Sequence, residues 1–341
     1  MKIAYAKTSD AIGKVLSHDV TRIVQGKCKG PAFKKGHVIK EEDVPQLLDI
    51  GKEHIYFLEL EEDEVHENEA GLALAEALAG EGLRFEGPSE GRVDLVAEHD
   101  GLLKVDKESL YKINRLKDVA AASLHTNSPV KKGESVAGMR VIPLAVNRKI
   151  LQEVEDVCST YTSVIKVHAY RSYKIGVVIT GKEIYDKRVK DAFAPALKDK
   201  LNLYGLDEPQ IQYVPDNSKI IAETIQQLLS EEHDFIIVTG GMSVDPDDVT
   251  PIGIRESGAE IEEYGIPVLP GAMFLLAYHE GTPVVGVPAC GMFYHSTAFD
   301  LIFPRLLAGD VICADDLAAL GHGGFCRRCE KCNFPHCSFG K

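Results

Sequence analysis

The chain has 341 residues, more than one ordinary hydrophobic core organises, which points to two or three domains. Acidic residues outnumber basic ones by 52 to 38, giving a net charge of -14, so a phosphate backbone is repelled and nucleic acid is not an expected partner. With 45% hydrophobic and 26% charged residues the chain reads as globular. It has neither an apolar run near the roughly 18 residues of a membrane span nor a secretory leader pattern, so no membrane is expected and the expected compartment is the cytoplasm.

Residues 1–150 read as a mixed α+β, mainly β region of one or two subdomains. Val15 to Val24 carries the first strand signal, and Phe33 to Ile39 a second around Gly36. Asp43 to Asp49 fits a short helix with Asp43 as N-cap, and His54 to Leu60 returns to strand. Asn68 to Ala79 is a clearer helix, with Leu72, Ala75, Leu78 and Ala79 on one face and Gly80 and Gly82 ending it. From Gly91 to Val146 alternating apolar positions separated by turn pairs such as Asp100-Gly101 predict further strands. His99, His125, Lys131 and Lys132 read as surface or turn residues.

A linker helix is expected over 151–172, and an α/β domain over 173–312. Lys174 to Ile179, Gln210 to Val214 and Phe235 to Val238 are apolar strand signals. They alternate with helical stripes at Asp191 to Tyr204 and Ser218 to Ser230, which implies right-handed crossovers and a mostly parallel sheet covered on both faces. Met273 to Tyr278 and Pro283 to Val287 read as an added hairpin, and Met292 to Leu307 as a closing helix bent at Pro304.

Ligands of open α/β sheets bind beyond the carboxyl ends of the strands, which directs attention to the segments after Ile179, Val238 and Val287. In the second, Gly240 and Gly241 remove the Cβ atoms that would keep a phosphate from the backbone, and Ser243 adds a hydroxyl. Thr250-Pro251 reads as a helix start with Thr250 as N-cap. Asp245, Asp247 and Asp248 make the loop acidic, a poor phosphate cradle unless a hard cation such as magnesium bridges carboxylate and phosphate.

The run Thr239-Gly240-Gly241-Met242-Ser243-Val244, with Asp248-Val249-Thr250-Pro251, resembles the loop shared by the molybdopterin molybdotransferase and molybdopterin adenylyltransferase families. That resemblance implies a molybdopterin-binding domain, a Thr-Gly-Gly cradle for the pterin phosphate and an essential Asp, here Asp248 with Asp245 next. Thr180-Gly181-Lys182-Glu183 followed by Asp191 is similar to a second element of the molybdotransferases; Asp191 is either functional or a helix cap. Pro270-Gly271 and Pro288-Ala289-Cys290-Gly291 take the place of two further elements, the latter departing from the usual Leu-Pro-Gly-Asn-Pro. The first half lacks the Asp-Gly-Tyr-Ala element of standard molybdotransferases. The resemblance implies molybdopterin or its adenylylated form, with molybdate or tungstate, as ligands, magnesium held by Asp248 and Asp191, and a homodimer. A transferase is the leading reading, beside a non-catalytic carrier or sensor that serves a molybdoenzyme and a competence-damage-type nucleotide pyrophosphatase.

Four of the eight cysteines, Cys326, Cys329, Cys332 and Cys337, fall in a tail over 321–341, a spacing that predicts a metal site. An iron-sulfur cluster and a zinc ion both fit that spacing. The tail carries few apolar residues and is expected to depend on metal for its order and to be separable from the α/β domain.

Overall fold

The computed structural model describes residues 2–24, 28–159, 163–242, 245 and 248–341. They divide into two compact units, one built mainly from residues before Val167 and the other mainly from His168 to Lys341.

The first unit is mostly strand. Lys2–Lys7, His54–Glu59 and Val15–Leu16 form an antiparallel sheet, and Val20–Val24 pairs with Cys28–Phe33. A four-stranded antiparallel sheet joins Val119–Ser123, Ser135–Val141, Arg92–Ala97 and Leu83–Ser89. The helix Glu67–Leu78 buries Ala70, Leu74, Ala75 and Leu78 in the same apolar cluster as Val93, Leu95 and Met139. A separate cluster gathers Leu16, Val20, Ile39, Leu47 and Ile55.

Several expectations for this region shift. The stretch after Phe33 is a turn rather than a strand, with Gly36 at φ 88°. The helix Asp43–Asp49 is present, but Asp43 lies inside it, and its carboxylate accepts from the Lys40 backbone and contacts His37. Lys107–Asn114 is a helix that strand periodicity hid; Asp106 caps it by accepting from the Glu108 and Ser109 N–H groups. In place of one linker helix the chain forms the helix Arg148–Ser159 and the strand Ile165–Ala169.

In the second unit, six strands form one sheet in the order Gln210–Val214, Ile175–Thr180, Phe235–Thr239, Thr282–Val287, Leu275–His279, Glu260–Tyr264. The first four are parallel and the last two antiparallel. Ile175–Thr180 and Phe235–Thr239 are buried along their whole length, as central strands covered on both faces must be.

Period-two alternation sorts their side chains between two cores. Val177, Ile179, Phe235 and Ile237 join the helices Phe193–Asn202 and Ala298–Leu307 on one face. Val178, Ile236 and Val238 join Ser218–Ser230 and Thr250–Glu256 on the other. The edge strand Glu260–Tyr264 was not legible, because three of its five residues are Glu and its burial is partial, as suits a strand with one open side.

The expected closing helix is two helices, Cys290–Phe293 and Ala298–Leu307. A capping box separates them: Thr297 accepts at its side chain, and Asp300 accepts from the Thr297 N–H at 2.7 Å.

The cysteine tail is not independent of this core. Leu269 N–H donates to the Gly324 carbonyl and Cys326 N–H donates to the Leu269 carbonyl, each at 2.8 Å. Phe339 is buried, and Phe334, Cys326 and Cys337 pack against the same apolar cluster. Gly340 lies so close to Leu301 that an added Cβ would stand 2.4 Å from its side chain. The expectation of a tail with little to bury fails because three aromatics that are not periodic in sequence, Phe325, Phe334 and Phe339, are placed by turns, and two of them reach the core.

Candidate functional site: a strand-end cleft

The carboxyl ends of three adjacent parallel strands open into one cleft of about 470 Å³. Thr180, Gly181 and Glu183 follow the first strand, Asp216 the second, and Gly240, Gly241 and Asp248 the third; Ala289 and Phe293 complete it. The loop between 180 and 193 adds Ile184, Val189, Lys190 and Phe193. Among the described residues the cleft therefore offers three carboxylates, one ammonium and several apolar surfaces.

The strand-end loops hold one another at close range. Gly240 sits at φ 93°, and a Cβ there would lie 2.3 Å from the Thr180 carbonyl oxygen, so only glycine admits this approach. Thr250 Oγ1 donates to the Gly240 carbonyl at 2.8 Å. Having spent its one proton there, it can only accept at the 3.2 Å contact with Thr180 Oγ1, which makes Thr180 the donor. Asp245 N–H donates to Asp248 Oδ2, and Asp248 N–H donates to the Asp245 carbonyl, a reciprocal turn that sets Asp248 at the cleft wall. Asp216 Oδ2 accepts from the Lys182 N–H at 2.8 Å and so ties the first loop to the second.

Residues 176–308 match the model of a "Probable molybdopterin binding domain". This segment belongs to the molybdopterin-binding domain family. Residues 5–59 match a family described only as a "Domain of unknown function". A molybdopterin molybdenumtransferase of Staphylococcus epidermidis is 25% identical over 170 residues, 48% of this chain and 40% of its own. A CinA-like protein of Syntrophus aciditrophicus is 27% identical over 130 residues, 34% of this chain and 31% of its own, so the chain spans less than half the length of these relatives. Among solved structures, the molybdopterin biosynthesis enzyme MoaB of Thermus thermophilus aligns over 40% of this chain and 98% of its own, at 17% identity and a TM-score of 0.34.

The molybdopterin-binding domain brings together only part of the residue set expected from the sequence. Thr180, Gly181, Glu183, Gly240, Gly241, Asp248 and Ala289 line the cleft. Ser243, with Asp247, lies outside the described residues.

The others serve the fold. Thr239 is buried and donates to the Val287 carbonyl at 3.0 Å. Met242 is buried in the apolar core, in space that Gly286 leaves by lacking a Cβ. Thr250 is the first residue of its helix rather than its N-cap, and its hydroxyl braces the Gly240 loop. Pro270 and Gly271 lie against the start of Ala298–Leu307, where Ala298 N–H donates to the Pro270 carbonyl and a Cβ on Gly271 would stand 2.6 Å from that of Ala298. Pro288 accepts from the Gly291 N–H; Gly291 lines a different, smaller pocket beside Thr239 and Lys200. Burial pushes the Cys290 thiol up, so it stays protonated at neutral pH.

Asp191 works as a helix cap, accepting from the Phe193 and Ala194 N–H groups at 2.7 and 3.1 Å and from the Tyr213 hydroxyl. Asp245 is exposed and outside the cleft lining. Sequence reasoning missed Asp216, Lys190, Phe193 and Phe293. Asp216 was findable, since it lies two residues past the end of a predicted strand, Val214, whose exit was not among those considered.

Among the described residues no group of three or more His, Cys, Asp or Glu side chains is placed to hold a metal ion. For magnesium between Asp191 and Asp248 the reason is that Asp191 spends its oxygens on the helix start. Cys326, Cys329, Cys332 and Cys337 line one cavity, but they do not form such a group, so the expected metal site at these four cysteines is not supported. Among the described residues no helix is long and apolar enough to cross a membrane.

Proposed function

We propose that the cleft binds molybdopterin, free or adenylylated, and that the chain acts in molybdenum cofactor assembly as a molybdotransferase-like enzyme. The observation that carries this reading is the convergence of Thr180-Gly181, Asp216, Gly240-Gly241 and Asp248 from three strand ends on one cleft within a molybdopterin-binding-type domain. The relative named molybdopterin molybdenumtransferase adds support for the reaction class.

In this reading the Cβ-free backbone at Gly240 and Gly241 admits the phosphate, and Lys190 supplies the positive charge that the acidic cleft otherwise lacks. Phe193, Phe293, Ile184 and Val189 offer apolar surface to the ring system. Magnesium commonly takes one or two carboxylates and completes its shell with phosphate and water, so Asp248 and Asp216 suit it without a third protein ligand. When bound, the ion would offset charge developing on phosphate oxygens.

The test is AMP release from adenylylated molybdopterin supplied with magnesium and either molybdate or tungstate. Turnover supports the transferase. Stoichiometric binding without turnover supports a carrier, a reading favoured by the altered loop after Val287, of which Ala289 is the only predicted contact in the cleft. Hydrolysis of ADP-ribose without any pterin would instead favour the nucleotide pyrophosphatase, toward which the CinA-like relatives point.

A further inference from the structure

The tail encloses a second cavity in the same unit, of about 260 Å³, with an apolar floor and a cationic rim. Phe339 is buried and Phe334 half-buried, and the two rings meet edge to face at 6.1 Å. Arg327, Arg328 and Asn333 also line the cavity and are exposed, so they form its rim. An apolar cavity of about 150 Å³ holds one benzene ring, so this one has room for a fused two-ring system.

Charge separates this cavity from the strand-end cleft. Glu183, Asp216 and Asp248 line the cleft, but among the described residues no carboxylate lines the tail cavity, in a chain whose net charge is -14. Among the described residues neither guanidinium is engaged in an ion pair, and Arg328 is steadied 5.2 Å over the Tyr294 ring. Guanidinium donors match phosphate oxygens in pairs, and aromatic faces stack a planar base. The Asn333 amide adds a donor and an acceptor for the edge of such a base.

We propose that the tail cavity binds a nucleoside monophosphate, with its base beside Phe334 and Phe339 and its phosphate at Arg327 and Arg328. Two guanidiniums suit one phosphate group, and among the described residues no lysine lines the cavity to hold a longer chain of them. The tail residues lie outside the segment 176–308 that matches the molybdopterin-binding family, so this site is an addition to that domain's own cleft. Phe293 lines both spaces, which makes them neighbours. The inference does not depend on what the cleft binds.

The four free cysteines of the lining supply the readout, because alkylation of a thiol requires access to it. The experiment titrates the full, reduced chain with AMP and with adenosine in a calorimeter, and maps labelling by N-ethylmaleimide with and without AMP by mass spectrometry. The expected result is AMP binding at least about tenfold tighter than adenosine, with labelling of Cys329 and Cys332 slowed by AMP and that of Cys313, outside the cavity, unchanged. Arg327→Glu/Arg328→Glu should lose both the binding and the protection at an unchanged melting temperature, since both side chains are exposed, while Lys190→Glu in the cleft keeps both. If the double variant does not fold, the adenosine comparison and the thiol protection in the wild-type chain decide. No AMP binding, equal affinity for adenosine, unprotected Cys329 and Cys332, or binding retained by the folded arginine variant would each overturn the proposal.

Discussion

The strand-end cleft is walled by loops that leave the ends of buried parallel strands, whereas the cysteine cavity is closed by a tail with no helix and only a single strand-like bridge, Leu269 to Phe325. In the first, position follows from the sheet: each strand delivers its next residues to the same edge, and glycine lets neighbouring loops touch. In the second, position follows from anchors, namely two hydrogen bonds to Leu269 and the burial of Phe339. A strand-end cleft is thus a property of the fold, while the tail cavity exists only as long as its anchors hold.

The largest effect expected from breaking that contrast is at the anchor. Phe339→Ala removes a buried ring and should cost about 3–5 kcal/mol in urea unfolding of the second unit. Unchanged stability would mean the tail is not part of the core. Gly240→Ala combines a positive φ with a Cβ 2.3 Å from the Thr180 carbonyl oxygen, and should cost about 2–3 kcal/mol and weaken ligand binding with it. A loss under about 0.5 kcal/mol would show that the loops are not locked together.

Thr250→Val leaves the Gly240 carbonyl and the Thr180 hydroxyl short of a partner, for an expected loss of about 1–2 kcal/mol. Asp248→Ala should cost less than about 1 kcal/mol, since its carboxylate accepts from an exposed loop, yet it should abolish the magnesium dependence of ligand binding. Equal losses of stability and binding would make Asp248 structural.

The smallest effect lies in the first unit. His66 is buried and neutral: Nε2 faces the Gly36 carbonyl at 3.0 Å, and Nδ1 accepts from the Asn68 N–H at 3.3 Å. Protonating Nδ1 would set two donors against each other, and burial is the main cause holding this imidazole below its ordinary value of 6.5. The unfolded chain then binds the proton first, so this contribution is complete above pH 6.5 and is lost as pH falls from there through the folded value. His66→Gln should flatten that slope in pH-dependent thermal unfolding; an unchanged slope would assign it to other groups.

The strands and helices of the second unit were legible because buried parallel strands read as apolar runs and the helix Ser218–Ser230 carries a clean stripe. The cleft was half legible for the same reason: the exits after Ile179 and Val238 were located, and Gly240, Gly241 and Asp248 with them. What sequence could not supply was the division of labour among polar residues. Asp191 and Asp248 are the same side chain on neighbouring loops, and only the backbone geometry makes one a helix cap and the other a cleft wall. Pro270-Gly271 carries a resemblance to the family yet serves close packing against Ala298. Tail burial was illegible because the contacts of Phe334 and Phe339 depend on turns without periodicity.

The account turns on whether the strand-end cleft takes a phosphorylated pterin through its one lining ammonium. Calorimetric titration of the full chain with molybdopterin and magnesium, in parallel with Lys190→Glu, measures that most directly, because Lys190 is exposed and its reversal leaves the core untouched. One-site binding that weakens by about tenfold or more in Lys190→Glu, with an unchanged melting temperature, is the predicted result. No binding to the wild-type chain, or equal affinity in the two proteins, would contradict it.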